Sequence, residues 1–498
     1  MSEIKNQTSR RVVIRAGAAL AVGAAASAVS PASAAPAART SRATSDPERL
    51  TALTGITVID ARGSNPSETV LVRGDRILAR GRRIPVPANA EVIDLAGRFL
   101  LPGFVDAHVH SIVDERISPL LHVASGVLTV REMSGSPTLR DWRGRIERGD
   151  LLGPRSVVGS AVVDGVPSIG SPPSFHLVAD AEQARAAVRQ AQVDGADFVK
   201  VYSRLSPELY RAIVDEARRV GIEFAGHCPD EVPFEDAARS GQSSIEHLYS
   251  AWYSVSAREA ELREQLADLT FAPGDYLTWA REIHRLEWAA IDSRDPAKEA
   301  ALLADLAETG VHVVPTLGTY EVLDRPEEVD RVDARLRYVP QPLADGWRWG
   351  LENLLIGSRT PEEAAQRRLL LEERRAFVEA LARAGVPVIA GTDGGDVPFV
   401  VPGFGLHDEL AALVRAGLTP QQAIEAATAT PARMLGLDHE IGTVAPGKVA
   451  DLVVLDADPL ADIANTTRIV SVVHRGRVID SAERVRILEQ VAAAAATG

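Results

Sequence analysis

Cysteine is almost absent from this chain of 498 residues, where Cys228 stands alone. No intramolecular disulfide can form, so even in an oxidising compartment the fold must rest on packing. Cys228 reads as a small buried filler. Lysine is also scarce. Lys5, Lys200, Lys298 and Lys448 stand among 54 cationic side chains, so arginine does nearly all the cationic work. A lysine retained inside an apolar strand, as Lys200 is in Phe198-Val-Lys-Val-Tyr202, therefore points to chemistry that a guanidinium cannot do. Excess positive charge is lacking too. The formal charge of −14, with no basic stripe, argues against a nucleic-acid partner and leaves a small molecule as the expected one. The apolar run Ala16 to Val29 is too short and too rich in alanine to span a membrane, so no stable membrane anchor is expected. Apolar residues at 46% and charged residues at 24% fit a soluble globular protein of more than one domain.

The first residues read as an address rather than as fold. Arg10-Arg11 precede the alanine-rich run, and Ala32-Ser33-Ala34 supplies small residues for cleavage. This pattern predicts an export signal over 1–34, of the twin-arginine type, and a mature protein that is periplasmic or extracellular. Residues 35–49, rich in Ala, Pro, Ser, Thr and Arg, read as a linker.

Short β runs separated by Gly, Asp, Asn and Pro fill 50–98 and return over 440–485, which predicts one composite β-sandwich built from both ends of the chain. Residues 486–498 read as a C-terminal tail. Between the β pieces, over 99–439, strands and helices alternate. The expected strands are 99–108, 127–132, 156–163, 197–202, 222–227, 244–248, 311–317 and 386–392, with helices including 180–194, 207–220, 361–384 and 420–429. The alternation predicts an α/β fold, a distorted (β/α)8 TIM barrel, because the chemically suggestive residues sit at strand ends that only a closed ring gathers over one mouth. Helical insertions over 249–310 and 318–385 hold Trp252, Trp279, Trp288, Trp347 and Trp349, and are expected to wall a pocket or to pack among themselves.

The strand ends carry metal-ligating side chains. In Gly103-Phe-Val-Asp-Ala-His-Val-His110, alternation puts His108 and His110 on one face, which makes a divalent-metal half-site. Asp106 reads as a structural or supporting carboxylate. His227 and His247 end two further strands, and Asp393 lies in Gly391-Thr-Asp-Gly-Gly395. Lys200 can join them only without its positive charge. A buried neutral amine can combine with carbon dioxide to give a carbamate whose oxygens bridge two cations; the alternative is a buried lysine paired with an acid. Four imidazoles, a carbamate and a carboxylate suffice for two divalent ions. The expected chemistry is attack of a metal-bridging hydroxide on a substrate carbonyl, with Asp393 taking the proton and passing it to the leaving group. Tyr202, two residues beyond Lys200, is a candidate donor to an oxyanion or substrate carboxylate. His176, beside the Pro/Gly/Ser-rich loop 164–175, is a candidate substrate contact.

The motifs Leu101-Pro-Gly-Phe-Val-Asp-Ala-His-Val-His110, Asp197-Phe-Val-Lys-Val-Tyr202, Ser244-Ile-Glu-His247, Ala390-Gly-Thr-Asp-Gly394, Thr428-Ala-Thr-Pro-Ala432 and Gly442-Thr-Val-Ala-Pro-Gly-Lys-Val-Ala-Asp-Leu-Val-Val454 occur here in that order. The chain resembles the metal-dependent amidohydrolase superfamily, most closely its imidazolonepropionase-like and prolidase-like branch. The resemblance implies a binuclear zinc site, N6-carboxylation of Lys200, and His108, His110, His227, His247 and Asp393 as ligands. It implies hydrolysis of amide or peptide bonds in small substrates such as dipeptides or N-acyl amino acids, in a protein able to self-associate. A lactone, carboxyl-ester or phosphotriester hydrolase would use the same site. A non-catalytic exported binding protein is the remote alternative.

Overall fold

A computed structural model describes residues 48–498. The expected export signal, 1–34, lies outside the described residues, as does all but the end of the expected linker 35–49. Among the described residues no helix is long and apolar enough to cross a membrane.

The two ends of the described chain meet in one eight-stranded sheet. Its order is Arg477–Ile479, Ile469–His474, Leu452–Leu455, Phe99–Pro102, Leu50–Asp60, Gly63–Arg73 and Arg76–Gly81, with Glu91–Asp94 also paired to Leu50–Asp60. Alternate residues such as Val70 and Val72, or Leu452 and Val454, turn into an apolar core of the sheet's own. The spacing of Leu53, Ile56 and Val58 departs from two where the register shifts, so that all three still face inward.

Both edges of this unit differ from the sequence reading. Phe99–Pro102, expected to open the barrel, instead pairs in parallel with Leu50–Asp60 and antiparallel with Leu452–Leu455. Gly103 separates it from the first barrel strand; a Cβ there would lie 2.8 Å from Leu128 Cδ1. The expected tail is largely helical. Ser481–Ala495 packs Val491, Ala494 and Ala495 against Ile117 and Leu121.

Phe104–Val109, Val127–Glu132 and Arg155–Val158 form one parallel sheet. Phe198–Val201, Glu223–His227, Ser244–Glu246 and His312–Val314 run parallel in another. Single parallel bridges join them into a ring: Gly159 to Phe198, Val313 to Val388 and Val109 to Gly394. The ring is the distorted (β/α)8 arrangement. Its eighth member, expected as a strand over 386–392, is an extended segment held at separate points. Ile389 N donates to Val313 O at 2.9 Å, and Ala107 N to Ala390 O at 3.1 Å. Pro387 has no N–H to give, which prevents a continuous ladder. The strands of the ring are buried on both faces, as Phe198–Val201 shows.

The expected helices appear as Ala181–Val193, Pro207–Val220, Pro361–Arg383 and Pro420–Ala426. Each starts where the side chain of Asp180, Ser206, Thr360 or Thr419 accepts a backbone N–H three residues on. The first insertion contains the helices Ala251–Val255, Glu259–Ala267, Tyr276–Asp292 and Pro296–Thr309. The second includes Leu317–Asp324, Gln341–Gly350 and Pro361–Arg383. Their tryptophans divide in role: Trp252 and Trp347 are fully buried packing, whereas Trp279 lines a cavity over the barrel mouth.

Candidate metal centre

His108, His110, Lys200, His227, His247 and Asp393 all line one cavity of about 180 Å³. Each sits within or just beyond a C-terminal strand end of the ring, where (β/α)8 enzymes carry their chemistry. Two adopt left-handed backbone, His247 with φ 66° and Asp393 with φ 56°. Such strain at a non-glycine residue persists where the surrounding structure enforces it, and it gathers at functional sites. The neighbouring backbone is shaped to match. At Gly226 (φ 140°), before His227, a Cβ would stand 2.1 Å from Val201 O and 3.0 Å from Lys200 Cδ. At Gly395 (φ 101°) a Cβ would stand 1.6 Å from His110 O.

His108, His247 and Asp393 each offer a ligand atom, all within 4.8 Å of one another. Asp393 Oδ1 lies 3.2 Å from His108 Nε2 and 3.3 Å from His110 Nε2. The His247 ring is 5.1 Å from His108 and 4.7 Å from His227, centroid to centroid. Three rings are oriented through Nδ1. His108 Nδ1 meets Glu246 Oε2 at 2.8 Å, His227 Nδ1 meets Ser203 Oγ at 2.8 Å, and His247 Nδ1 meets Thr316 Oγ1 at 2.7 Å. Holding Nδ1 leaves Nε2 of each ring for a cation. Burial, reinforced by His247, pushes His227 well below the ordinary histidine range. Burial likewise lowers His247 to about 3, against the pull of Asp393. Both rings are thus neutral, the state a metal ligand needs. Burial acts the other way on Asp393, but His108, His110 and His247 outweigh it and hold the carboxyl well below its usual range, ionised.

Lys200 is 1% exposed, and its Nζ is buried without a hydrogen-bond partner among the described residues. It is not the lysine of a buried ion pair. Burial lowers its pKa to about 8, against the opposing pull of Glu246 and Asp393. A buried, unpartnered amine beside two strand-end imidazoles fits a carbamate bridging two cations, and the donor set as a whole fits divalent metal.

Tyr202 lines the cavity with its ring 4.0 Å from that of His227. His176 lies apart from these residues. It falls in the short strand Phe175–Leu177, where Phe175 turns inward against Tyr202 at 5.3 Å; alternation sends His176 to the other face, and it is not among the lining residues. Asp106 is not among the residues that line the cavity; it accepts from Thr392 N at 3.0 Å and Thr392 Oγ1 at 2.8 Å. Cys228 is buried, with Sγ donating to Val232 O at 3.2 Å.

Sequence reasoning missed the supports. Glu246 sits in a quoted motif but received no role. Its Oε1 accepts from the Arg131 guanidinium at 2.5 Å while its Oε2 holds His108. Burial opposes ionisation of Glu246, but Arg131 and His108 hold its carboxyl well below the usual range. Asp396 Oδ2 lies 3.2 Å from His110 Nδ1. Alternation puts Glu246 on the face of Ser244, whose hydroxyl donates to Glu246 Oε1 at 2.5 Å, and a charged residue at a buried strand end is the one local signal; nothing local marks Asp396 or Thr316.

Comparison with known proteins agrees with this geometry. The amidohydrolase family model matches residues 99–479. The chain belongs to the amidohydrolase family and is a hydrolase. Imidazolonepropionase of Pseudomonas fluorescens is 26% identical over 396 residues, covering 77% of this chain and 86% of the relative. A 5-methylthioadenosine/S-adenosylhomocysteine deaminase of Symbiobacterium thermophilum is 25% identical, covering 78% of this chain and 80% of its own length. Among solved structures, bottromycin amidohydrolase superposes with a TM-score of 0.69 at 26% identity, covering 90% of this chain and 91% of that one. A Xaa-Pro dipeptidase shares the fold, with a TM-score of 0.62 at 19% identity over 87% of this chain and all of that one.

Proposed function

We propose that this protein is an exported, binuclear metal-dependent hydrolase that cleaves amide or peptide bonds in small molecules such as dipeptides or N-acyl amino acids. The observation that carries the reading is the buried, unpartnered Nζ of Lys200 among His227, His247 and Asp393. His108, His110, His227, His247, Asp393 and a carboxylated Lys200 would hold two divalent ions, zinc foremost, and such ions polarise a carbonyl and bring the pKa of water toward neutrality.

The chain's own residues supply the remaining steps. The Asp393 carboxylate, ionised by its histidine neighbours, accepts the proton of the attacking water at Oδ and returns it to the departing nitrogen. Tyr202, whose ring packs tilted against His227, donates its hydroxyl hydrogen to the substrate oxygen on which charge develops. Tyr276, Trp279 and Ile283 of the insertion helix Tyr276–Asp292 wall the cavity beside these groups. A cavity of about 180 Å³ suits small substrates. Likeness to bottromycin amidohydrolase supports an amide as the bond cleaved. The arginine pair Arg10-Arg11 and the small residues Ala32 to Ala34 support export.

The test is turnover by zinc-loaded protein of a library of dipeptides and N-acyl amino acids, each beside its matched ester. Hydrolysis of amides is the expected result. Ester or lactone turnover with no amide cleaved would overturn the reading.

A further inference from the structure

The wall of the cavity formed by the helix Tyr276–Asp292 holds polar atoms that the fold leaves unsatisfied. Tyr276, Trp279, Ile283 and His284 line the cavity at the spacing of one helical face. His284 is 5% exposed, and its Nε2 lies 3.0 Å from Gln366 Oε1. An amide oxygen only accepts, so Nε2 carries the proton and Nδ1 keeps a lone pair. That Nδ1 is buried and has no partner among the described residues. Burial first, then Arg367, lowers the pKa of His284 to about 4, which keeps the ring neutral. The Trp279 Nε1 donor is buried without a partner as well. Groups left in this state are costly and are expected to meet a ligand or water.

The charges of this wall are already matched. Arg367 lies 3.0 Å from Glu363 and 3.7 Å from Asp324. Arg374 lies 2.7 Å from Asp324, pairs with Glu287, and stacks on the Tyr320 ring at 3.9 Å. Both guanidinium groups of the lining are thus bound to carboxylates, and the buried nitrogens left without a partner among the described residues include Arg374 Nε and Arg359 Nη1. The surface beside His284 is instead apolar and aromatic, from Tyr276, Trp279, Ile283 and Leu323.

We propose that this wall is a substrate subsite for an uncharged aromatic group bearing a hydrogen-bond donor, such as a phenolic hydroxyl, which donates to His284 Nδ1. Trp279 Nε1 takes an uncharged acceptor of the same molecule, such as a carbonyl. The inference rests on the hydrolase reading above for the role of the cavity, and it names the substrate class that reading leaves open.

The test is calorimetric binding of 3-(4-hydroxyphenyl)propanamide, 3-phenylpropanamide and 3-phenylpropanoate to the holoprotein, to His284→Phe and to His284→Leu. Wild type should bind the phenol about tenfold more tightly than the unsubstituted amide, the worth of one buried hydrogen bond, and both variants should lose that preference. Either variant alone is sufficient if the other fails to fold. Equal binding of the two amides by wild type, no binding, a preference that survives the substitutions, or tighter binding of the carboxylate would each overturn the proposal. Turnover is not read, so failure of amide hydrolysis would sink the functional reading and leave this result standing.

Discussion

His108 Nδ1 lies 2.8 Å from Glu246 Oε2, and that contact decides which nitrogen of the ring faces Asp393. Glu246 reaches back to Arg131 with its other oxygen, so one carboxylate orients a ligand and neutralises a buried cation. Glu246→Gln keeps the shape but removes the charge. Metal affinity should fall by about 10- to 100-fold, as expected for a lost ligand support. Leaving Arg131 uncompensated should also cost about 3–5 kcal/mol. Chelator competition and chemical denaturation measure the two effects; unchanged values in both would show that Glu246 supports nothing.

This pair also shows where the sequence is legible. His108, His110, His227, His247, Lys200 and Asp393 are legible because each lies at or near an expected strand end, and the barrel rule gathers strand ends at one mouth. Glu246 and Arg131 are 115 residues apart, so no local pattern announces their contact. Phe99–Pro102 was placed in the barrel because an apolar run gives no hint of which sheet will pair with it. The eighth member was read as a strand from Val386 to Thr392, yet Pro387 limits it to isolated bridges. His176 was drawn to the mouth by its loop, and the inward turn of Phe175 sends it elsewhere.

His176 and Tyr202 therefore make a contrasting pair. His176→Ala should leave kcat/KM within about twofold, since a substitution away from the cavity touches no reacting atom. Tyr202→Phe should lower kcat by about 10²-fold, the usual cost of one oxyanion donor. Steady-state kinetics on one amide substrate compares them. A large loss at His176 with none at Tyr202 would reverse the placement argued here.

Lys200 sets a pH dependence in the metal-free protein. Its folded pKa is depressed to about 8 by burial, below the 10.5 of an exposed lysine. Between those values the unfolded chain binds the extra proton, so this group's contribution to stability grows as pH rises through the window. Below about pH 8 both states are protonated and the cost of burying the cation is fully present. Denaturation of metal-free wild type against Lys200→Met from pH 7 to 10 should show the gap narrowing with pH. At one fixed concentration of dissolved carbon dioxide, metal uptake should also be about 20-fold faster at pH 8.5 than at 6.5, because the neutral amine is the reacting form. A flat profile in both would return Lys200 to a structural role.

Gly226 lets the backbone before His227 pass close to Val201 and Lys200. Gly226→Ala places a Cβ 2.1 Å from Val201 O at φ 140°, which alanine strongly disfavours. The expected loss is about 1–3 kcal/mol of stability, together with displacement of His227 and lower metal affinity. Thermal unfolding with and without zinc separates the two, and a variant as stable and metal-replete as wild type would contradict the strain.

The most direct test of the account is divalent metal per chain, by elemental mass spectrometry on purified protein and on Lys200→Ala. The account predicts about two ions in wild type and a clear fall in the variant, because a carboxylated Lys200 would supply oxygens to both. One ion in wild type, unchanged when Lys200 is removed, would contradict the binuclear centre.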